Sequence, residues 1–423
     1  MNKVKLSEVA NVELSSIDKK IVQGEKSVKL CNFTDVYYNW AITKSIVDKC
    51  MEGSVNESEF SKFALRKGQV AITKDSETRS DIGMSTYISE DFDDVVLAYH
   101  CALITPKEGK VNGKYLNALL NDSYGRKYFA NQASGSGQRY TLSKEAIESI
   151  KIPLPSMEKQ NAIGSFFSNI DRKIELNNRI NDNLYKQLEL LYKYWFTQFD
   201  FPNTFGKPYR SSGGALTFHD SLKRNLPNSW KLASLGSLCS FRNGINYDKN
   251  SLGTKNYHIV NVRNITASTI IINEDECDTI SLYPSHADKY VVSDDDIVIA
   301  RSGTPGATRL LLNPSDHVIF CGFIICCTPY NRIMRNYLWC WIKQFEGTAS
   351  TQTGGSILQN VSQDTLKSLP VVIPPEDVLL AFNKQMDSII KAIDNNMRES
   401  NQLLRYRNWI LPMLMNGQAT ISD

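Results

Sequence analysis

Two long stretches of the chain carry apolar residues at alternating steps of four and three. That is the 3.5-residue period of helices that wrap around a partner. The first seam is Ile163, Phe167, Ile170, Ile174, Asn177, Asn181, Leu184, Leu188, Leu191 and Trp195. The second is Phe382, Met386, Ile389, Ile393, Asn396, Ser400, Leu403, Arg407, Ile410 and Leu414. Prolines bound both. One helix is predicted after Pro155-Ser156 to about Phe199. The other follows Pro374-Pro375 to about Leu411, where Pro412 should end or kink it. Each seam turns polar at its fifth and sixth positions, and a buried polar layer fixes register. In an antiparallel pair Asn177 would face Ser400 and Asn181 would face Asn396, because the numbers of facing residues sum to 577 along the whole seam. A parallel pair would align the polar layers as well, and two separate amphipathic helices are a third reading. The chain between the helices favours antiparallel packing, since a whole globular stretch must fit between the end of one and the start of the other.

Outside the helices the pattern changes to short β-branched runs, which predict strands at Val70–Ile72, Val95–Ile104, Tyr257–Val262, Asp296–Ala300 and Val318–Thr328. These runs recur in the same order in both halves, at an offset of about 219 to 232 residues. Asn32-Phe33-Thr34 matches Asn264-Ile265-Thr266, and Lys62-Phe63 matches Lys289-Tyr290. Thr105-Pro106 matches Thr328-Pro329, and Tyr115-Leu116 matches Tyr337-Leu338. Gly135-Ser136-Gly137 matches Gly354-Gly355-Ser356, and Ile152-Pro153-Leu154-Pro155 matches Val371-Val372-Ile373-Pro374. The expected fold class is therefore α+β. Two tandem mixed α/β modules are each followed by a long helix, and the helices form an antiparallel coiled coil with pseudo-two-fold symmetry. The expected segments are 1–152, 153–200, a linker at 201–227, then 228–372 and 373–423. The linker is read from Pro202, Pro208, Ser211-Ser212-Gly213-Gly214 and Pro227.

Composition narrows the class without fixing it. With 423 residues, 42% hydrophobic and 22% charged, the chain is an ordinary globular protein of two or three domains. Its 48 basic and 45 acidic residues nearly cancel. Residues 1–150 hold 20 of each sign, and residues 211–370 hold 14 basic and 13 acidic. Neither module is globally basic, so any attraction to phosphate is local or shared with a partner. The nine cysteines include no CxxC pair, which argues against a zinc knuckle and for reduced core thiols. Met1-Asn2-Lys3-Val4 opens no signal-peptide core, and the longest apolar run, Val318 to Cys327, is half the roughly 20 residues of a membrane helix. The expected location is cytoplasmic.

Catalytic signatures are sparse. A methyltransferase would carry an Asn/Asp-Pro-Pro-aromatic motif, yet Pro374-Pro375 lies between Ile373 and Glu376. Gly135-Ser136-Gly137 continues into Gln138-Arg139-Tyr140 and not toward a third glycine. Asp93 or Asp94 with Glu108 could hold Mg²⁺, but the second half has Tyr330-Asn331-Arg332 at the matching place. His100, His219, His258, His286 and His317 show no metal-ligand spacing. The chain is expected to be no enzyme and to hold no metal.

The run from Ile152-Pro153-Leu154-Pro155-Ser156-Met157-Glu158-Lys159-Gln160 through Ile170-Asp171-Arg172-Lys173-Ile174-Glu175-Leu176-Asn177 resembles the central region of the specificity (S) subunit of type I restriction–modification enzymes. Leu191-Tyr192-Lys193-Tyr194-Trp195-Phe196-Thr197-Gln198-Phe199-Asp200 continues the likeness. Ile393-Asp394-Asn395-Asn396 to Leu411-Pro412-Met413-Leu414-Met415-Asn416-Gly417 resembles the second such region, with Asp377-Val378-Leu379-Leu380 where a first-turn Gln is usual. The resemblance implies two target recognition domains, each reading one half of a split double-stranded DNA site, with the helices setting the distance between halves. It implies two methyltransferase (M) subunits docked on the helices and, in cleaving assemblies, two restriction/translocase (R) subunits. S-adenosylmethionine, ATP and Mg²⁺ would belong to those partners, with no cofactor in this chain, which would direct adenine methylation or cleavage. A nuclease or a protein-binding helical adaptor is the competing class, and co-purification with a methyltransferase separates them.

Two unlike modules in tandem should read an asymmetric site, since identical halves are what palindromes mirror. Arg can fork to guanine, and Asn or Gln to adenine. The candidate readers are Lys74, Arg79, Gln138, Arg139 and Tyr140 in the first module. In the second they are Arg301, Ser302, Thr304, Arg309, Gln359 and Asn360.

Overall fold

The computed structural model describes residues 3–18, 20–136, 139–248, 252–346 and 361–421. It divides into two compact units, one built from Met1–Asn177 with Arg398–Asp423 and the other from Asn178–Met397. Each long helix is thus shared between the units.

In the first unit the β-branched runs build a five-stranded sheet in the order Ala10–Leu14, Cys101–Pro106, Val70–Thr73, Ser85–Ile88, Ala41–Ile42. A second sheet orders Met51–Val55, Lys26–Cys31 and Val95–Leu97, the last pair parallel. Lys3–Lys5 pairs with Lys151–Pro153. The second unit repeats this plan. Its sheets run Cys239–Asn243, Ile324–Pro329, Ile297–Ala300, Thr308–Leu310 and Asp278–Leu282, Lys255–Val260, Val318–Phe320, again with the last pair of the latter parallel. Lys231–Ser234 pairs with Pro370–Ile373. The register repeats too: Cys101 faces Thr73 as Ile324 faces Ala300. Tyr115 and Tyr337, each in an apolar helix, donate their hydroxyls to the backbone carbonyls of Pro153 and Val372.

Three expectations change. The single strands expected at Val95–Ile104 and Val318–Thr328 are each broken, by residues 98–100 and 321–323. His100 takes a positive φ of 75°, which turns the chain out of one sheet and into the other. The repeat also aligns Asn32 with Asn261 and not with Asn264, because both asparagines sit at the N-caps of short helices that follow equivalent strands. Finally, residues 201–227 are no open linker. They hold the hairpin Leu216–His219 with Arg224–Pro227, and Phe201 stacks on Tyr209 at 4.7 Å while Leu226 is buried. The prolines and glycines there shape turns within folded structure.

The helices span Met157–Tyr192, with a π-helical turn at Lys193–Thr197, and Glu376–Met415. The second continues four residues past its expected end. Pro412 forfeits one bond, to the carbonyl of exposed Asn408, while Ile410, Leu411 and Leu414 bury against Phe167 and Ile170. Every seam residue from Ile163 to Leu188 and from Phe382 to Leu403 is buried or half-buried. In the first unit Phe166 meets Tyr406, Lys173 pairs with Glu399 at 3.0 Å, and Asn177 donates to Ser400 at 3.2 Å. Contacts descend one helix as they climb the other, so the segments run antiparallel. The second unit shows the same sense, with Asn396 donating to Asn181 at 2.8 Å and Trp195 against Phe382. The polar layers pair as their index sum requires. Among the described residues no helix is long and apolar enough to cross a membrane. All nine cysteines are free thiols, and only Cys50 is not fully buried.

Asp171 is the seam's titrating neighbour. Burial pushes its carboxyl up to about 6, against the opposing pull of Arg407 and with a small push from Glu175. A carboxyl raised above its unfolded value binds a proton more tightly in the folded state, so its contribution weakens stability as pH rises from about 4 to 6. Asp171→Asn removes this dependence. Its melting temperature relative to the unsubstituted protein is expected to climb across that window, and a pH-independent difference would contradict the assignment.

Candidate nucleic-acid interface

The first module gathers its polar groups where its two sheets exchange a strand. The Lys74 backbone N–H donates to the His100 carbonyl at 2.9 Å, which seats residues 74–75 beside the 98–100 turn. The strand Asp75–Ser76 then pairs with Arg139–Thr141. The Asp75 carboxylate, nearly buried, is the hub. His100 Nδ1 lies 2.6 Å from Asp75 Oδ2, Lys74 Nζ at 3.1 Å and Arg139 Nη2 at 3.5 Å. A carboxylate only accepts, so the histidine nitrogen carries its proton toward Asp75. Arg139 also donates to the Tyr99 hydroxyl at 3.0 Å. Burial alone would raise the Asp75 carboxyl, but hydrogen bonds from His100, Thr141 and Lys74 outweigh it and hold the group below its usual value. Arg139 keeps 58% of its side chain exposed, so the hub fixes a cation that still faces solvent. Arg79 sits over the Tyr140 ring at 5.1 Å. Gly135 makes this possible: its φ is 125°, and a Cβ there would fall 2.2 Å from the Arg139 carbonyl.

In the second module Arg301 follows its strand as Lys74 does, and its N–H donates to the Phe323 carbonyl at 2.9 Å. Arg301, Ser302 and Thr304 are exposed in the turn before Gly306, and Thr304 Oγ1 lies 3.3 Å from Thr266 Oγ1. Arg309 is placed elsewhere. It is buried, forks onto both Glu346 oxygens at 2.8 and 2.9 Å, and donates to the Ser268 carbonyl at 2.6 Å. It reaches no solvent-facing surface and leaves the set of readers. Gln138, Gln359 and Asn360 lie outside the described residues. So the structure brings Lys74, Arg79, Arg139 and Tyr140 together in one unit and Arg301, Ser302 and Thr304 in the other. Sequence reasoning missed Asp75, Tyr99, His100 and Phe323. The signal for the last three was a polar or aromatic interruption inside what read as one continuous strand. Among the described residues no group of His, Cys, Asp or Glu side chains stands together as a metal site.

A mixed α/β module that occurs twice, each copy with an exposed cationic tip and long helical segments packed antiparallel, defines a tandem-module protein. The chain belongs to the family of the type I restriction modification DNA specificity domain, which matches residues 1–186 and 227–405. It is 21% identical over 378 residues to the type I restriction enzyme MjaIX specificity subunit of Methanocaldococcus jannaschii, covering 88% of this chain and 83% of the relative. It is also 21% identical over 415 residues to the HindI specificity subunit of Haemophilus influenzae, covering 84% and 88%. Its fold resembles the crystal structure of the type I restriction-modification S subunit from M. genitalium, with a TM-score of 0.54 at 12% identity over 98% of this chain and 95% of that one. The chain is a DNA sequence-recognition subunit of a restriction–modification complex.

Proposed function

We propose that this subunit reads a two-part, asymmetric double-stranded DNA site, one half per module, and has no catalytic centre of its own. What supports the reading is one observation: the same β frame, in the same register, occurs twice but carries different exposed residues. Equal frames place readers equivalently, and unequal side chains select unequal bases. Two methyltransferase subunits dock along the helices and bring S-adenosylmethionine. Two restriction subunits, with ATP and Mg²⁺, join them for cleavage. Lys74, Arg79, Arg139 and Tyr140 serve the first half-site, and Arg301, Ser302 and Thr304 the second. Because neither module is globally basic, the chain alone binds DNA weakly, and the partners supply much of the phosphate attraction.

Reconstitution tests this. The purified chain with S-adenosylmethionine and DNA should methylate nothing, and addition of its methyltransferase subunit should produce methylation at one sequence only. Activity of the chain alone, or nanomolar specific binding by it at physiological salt, would contradict the reading. Arg301→Ala should change the second half of the methylated motif and spare the first, as mapped by modification sequencing. An unaltered motif removes Arg301 from the readers.

A further inference from the structure

The two strand breaks are the same feature built from different residues. With Cys101 equivalent to Ile324 and Thr73 to Ala300, the register places Lys74 on Arg301, Asp75 on Ser302, Tyr99 on Gly322 and His100 on Phe323. The matching hydrogen bonds, from Lys74 N–H to the His100 carbonyl and from Arg301 N–H to the Phe323 carbonyl, are both 2.9 Å long. Two further bonds repeat around them, Ala98 to Cys31 and Cys321 to Val260. The backbone hydrogen bonds of the tip therefore repeat while all four of its side chains differ, and the positive φ of His100 has no counterpart at Phe323. On the first tip the groups are polar and locked to a near-buried carboxylate. On the second, Arg301 is joined to Phe323 by a backbone hydrogen bond, and Phe323 is 63% exposed and outside every apolar cluster of its unit. Three cationic or protic groups converge on one carboxylate oxygen at the first tip, and an exposed ring stands at the turn of the second.

We infer that these equivalent tips determine which bases the modules accept, with Asp75 positioning Arg139 in the first and Phe323 packing on a thymine methyl beside Arg301 in the second. The inference rests on the half-site reading proposed above. A thymine methyl is the one apolar group that a base pair offers in the major groove, and an aromatic side chain next to an arginine fork suits a thymine neighbouring a guanine. Asp75 touches no base in this account. It limits the rotamers of Arg139 by direct charge across 3.5 Å, so its loss should blur the choice of base and not simply weaken binding.

The test uses the complex of the full chain with its methyltransferase subunit and a DNA duplex carrying the methylated motif. Replacing thymine by uracil in the second half removes only the methyl group. The unsubstituted complex should methylate the uracil duplex about tenfold more slowly, and Phe323→Ala should be slow on both duplexes and indifferent to the exchange. Asp75→Asn should cut the ratio of rates on correct and altered first halves by about tenfold, leave the second-half ratio alone, and be restored by Asp75→Glu. A second half without thymine, or a uracil effect that persists in Phe323→Ala, overturns the role of Phe323. A change of melting temperature in Asp75→Asn with unchanged rate ratios makes Asp75 structural only. If the unsubstituted complex methylates no two-part site, the half-site reading itself fails. If it does so and both variants keep its preferences, only the tip assignment fails.

Discussion

Alanine at position 382 is expected to destabilise the second unit by about 3–5 kcal/mol, the range for removing a fully buried aromatic ring. Phe382 is the first residue of the second seam and has no exposed surface. Its ring centroid lies 4.7 Å from Phe196, edge to face, and 5.7 Å from Trp195. Phe196 in turn packs on Tyr337 at 4.8 Å, and Tyr337 is tied by its hydroxyl to the Val372 backbone. Such a cluster cannot collapse to fill the space, because each ring is fixed by another or by a hydrogen bond. The π-helical turn at Lys193–Thr197 delivers Trp195 and Phe196 into this contact. Urea unfolding should show the midpoint drop, while Phe382→Leu should lose much less. A shift under about 1 kcal/mol for the alanine variant would mean that the helix start is not anchored in this core.

The second large effect is at Arg309. Its guanidinium is 4% exposed and satisfied by Glu346, Ser268 and Thr308. Truncation to alanine leaves Glu346 with Lys343 as its remaining cation, at 2.8 Å, and strands buried carbonyls that accepted from the fork. Because Glu346 keeps Lys343 and is 28% exposed, losing the charge-assisted fork costs about 1.5–3 kcal/mol, and replacing both partners by apolar residues can be neutral. Lysine should not rescue it, since one ammonium cannot reproduce two parallel bonds. At a temperature where the variant remains folded, the methylated motif should be unchanged. A shifted motif without loss of stability would return Arg309 to the base readers.

The helices were legible from the sequence because a 3.5-residue period sustained over many turns has few structural meanings, and because Asn177, Asn181, Asn396 and Ser400 mark a register that only certain pairings satisfy. The repeat was legible through fixed landmarks such as Tyr115 and Tyr337, whose hydroxyls make the same bond twice. The candidate interface was legible in part. An exposed arginine after a strand can be spotted, but Arg301 and Arg309 look alike in sequence, and only the fold shows that one faces outward while the other meets a glutamate 37 residues later. Asp75 was invisible for a similar reason: its partners come from residues 74, 100 and 139, which no local pattern joins. The breaks at residues 98–100 and 321–323 were hidden by apolar runs on both sides, which read as continuous strands. Pro412 was overweighted, because a missing donor matters little when the acceptor it abandons faces water near a helix end.

The central claim is that two unlike copies of one module give the restriction–modification complex a two-part, asymmetric target. Mapping methylated adenines across the genome of a host with this chain, and of the same host without it, tests that claim most directly. The expected result is one motif of two different specified halves separated by unspecified bases, present only when the chain is present. A continuous or palindromic motif, or a motif that survives loss of the chain, would contradict it.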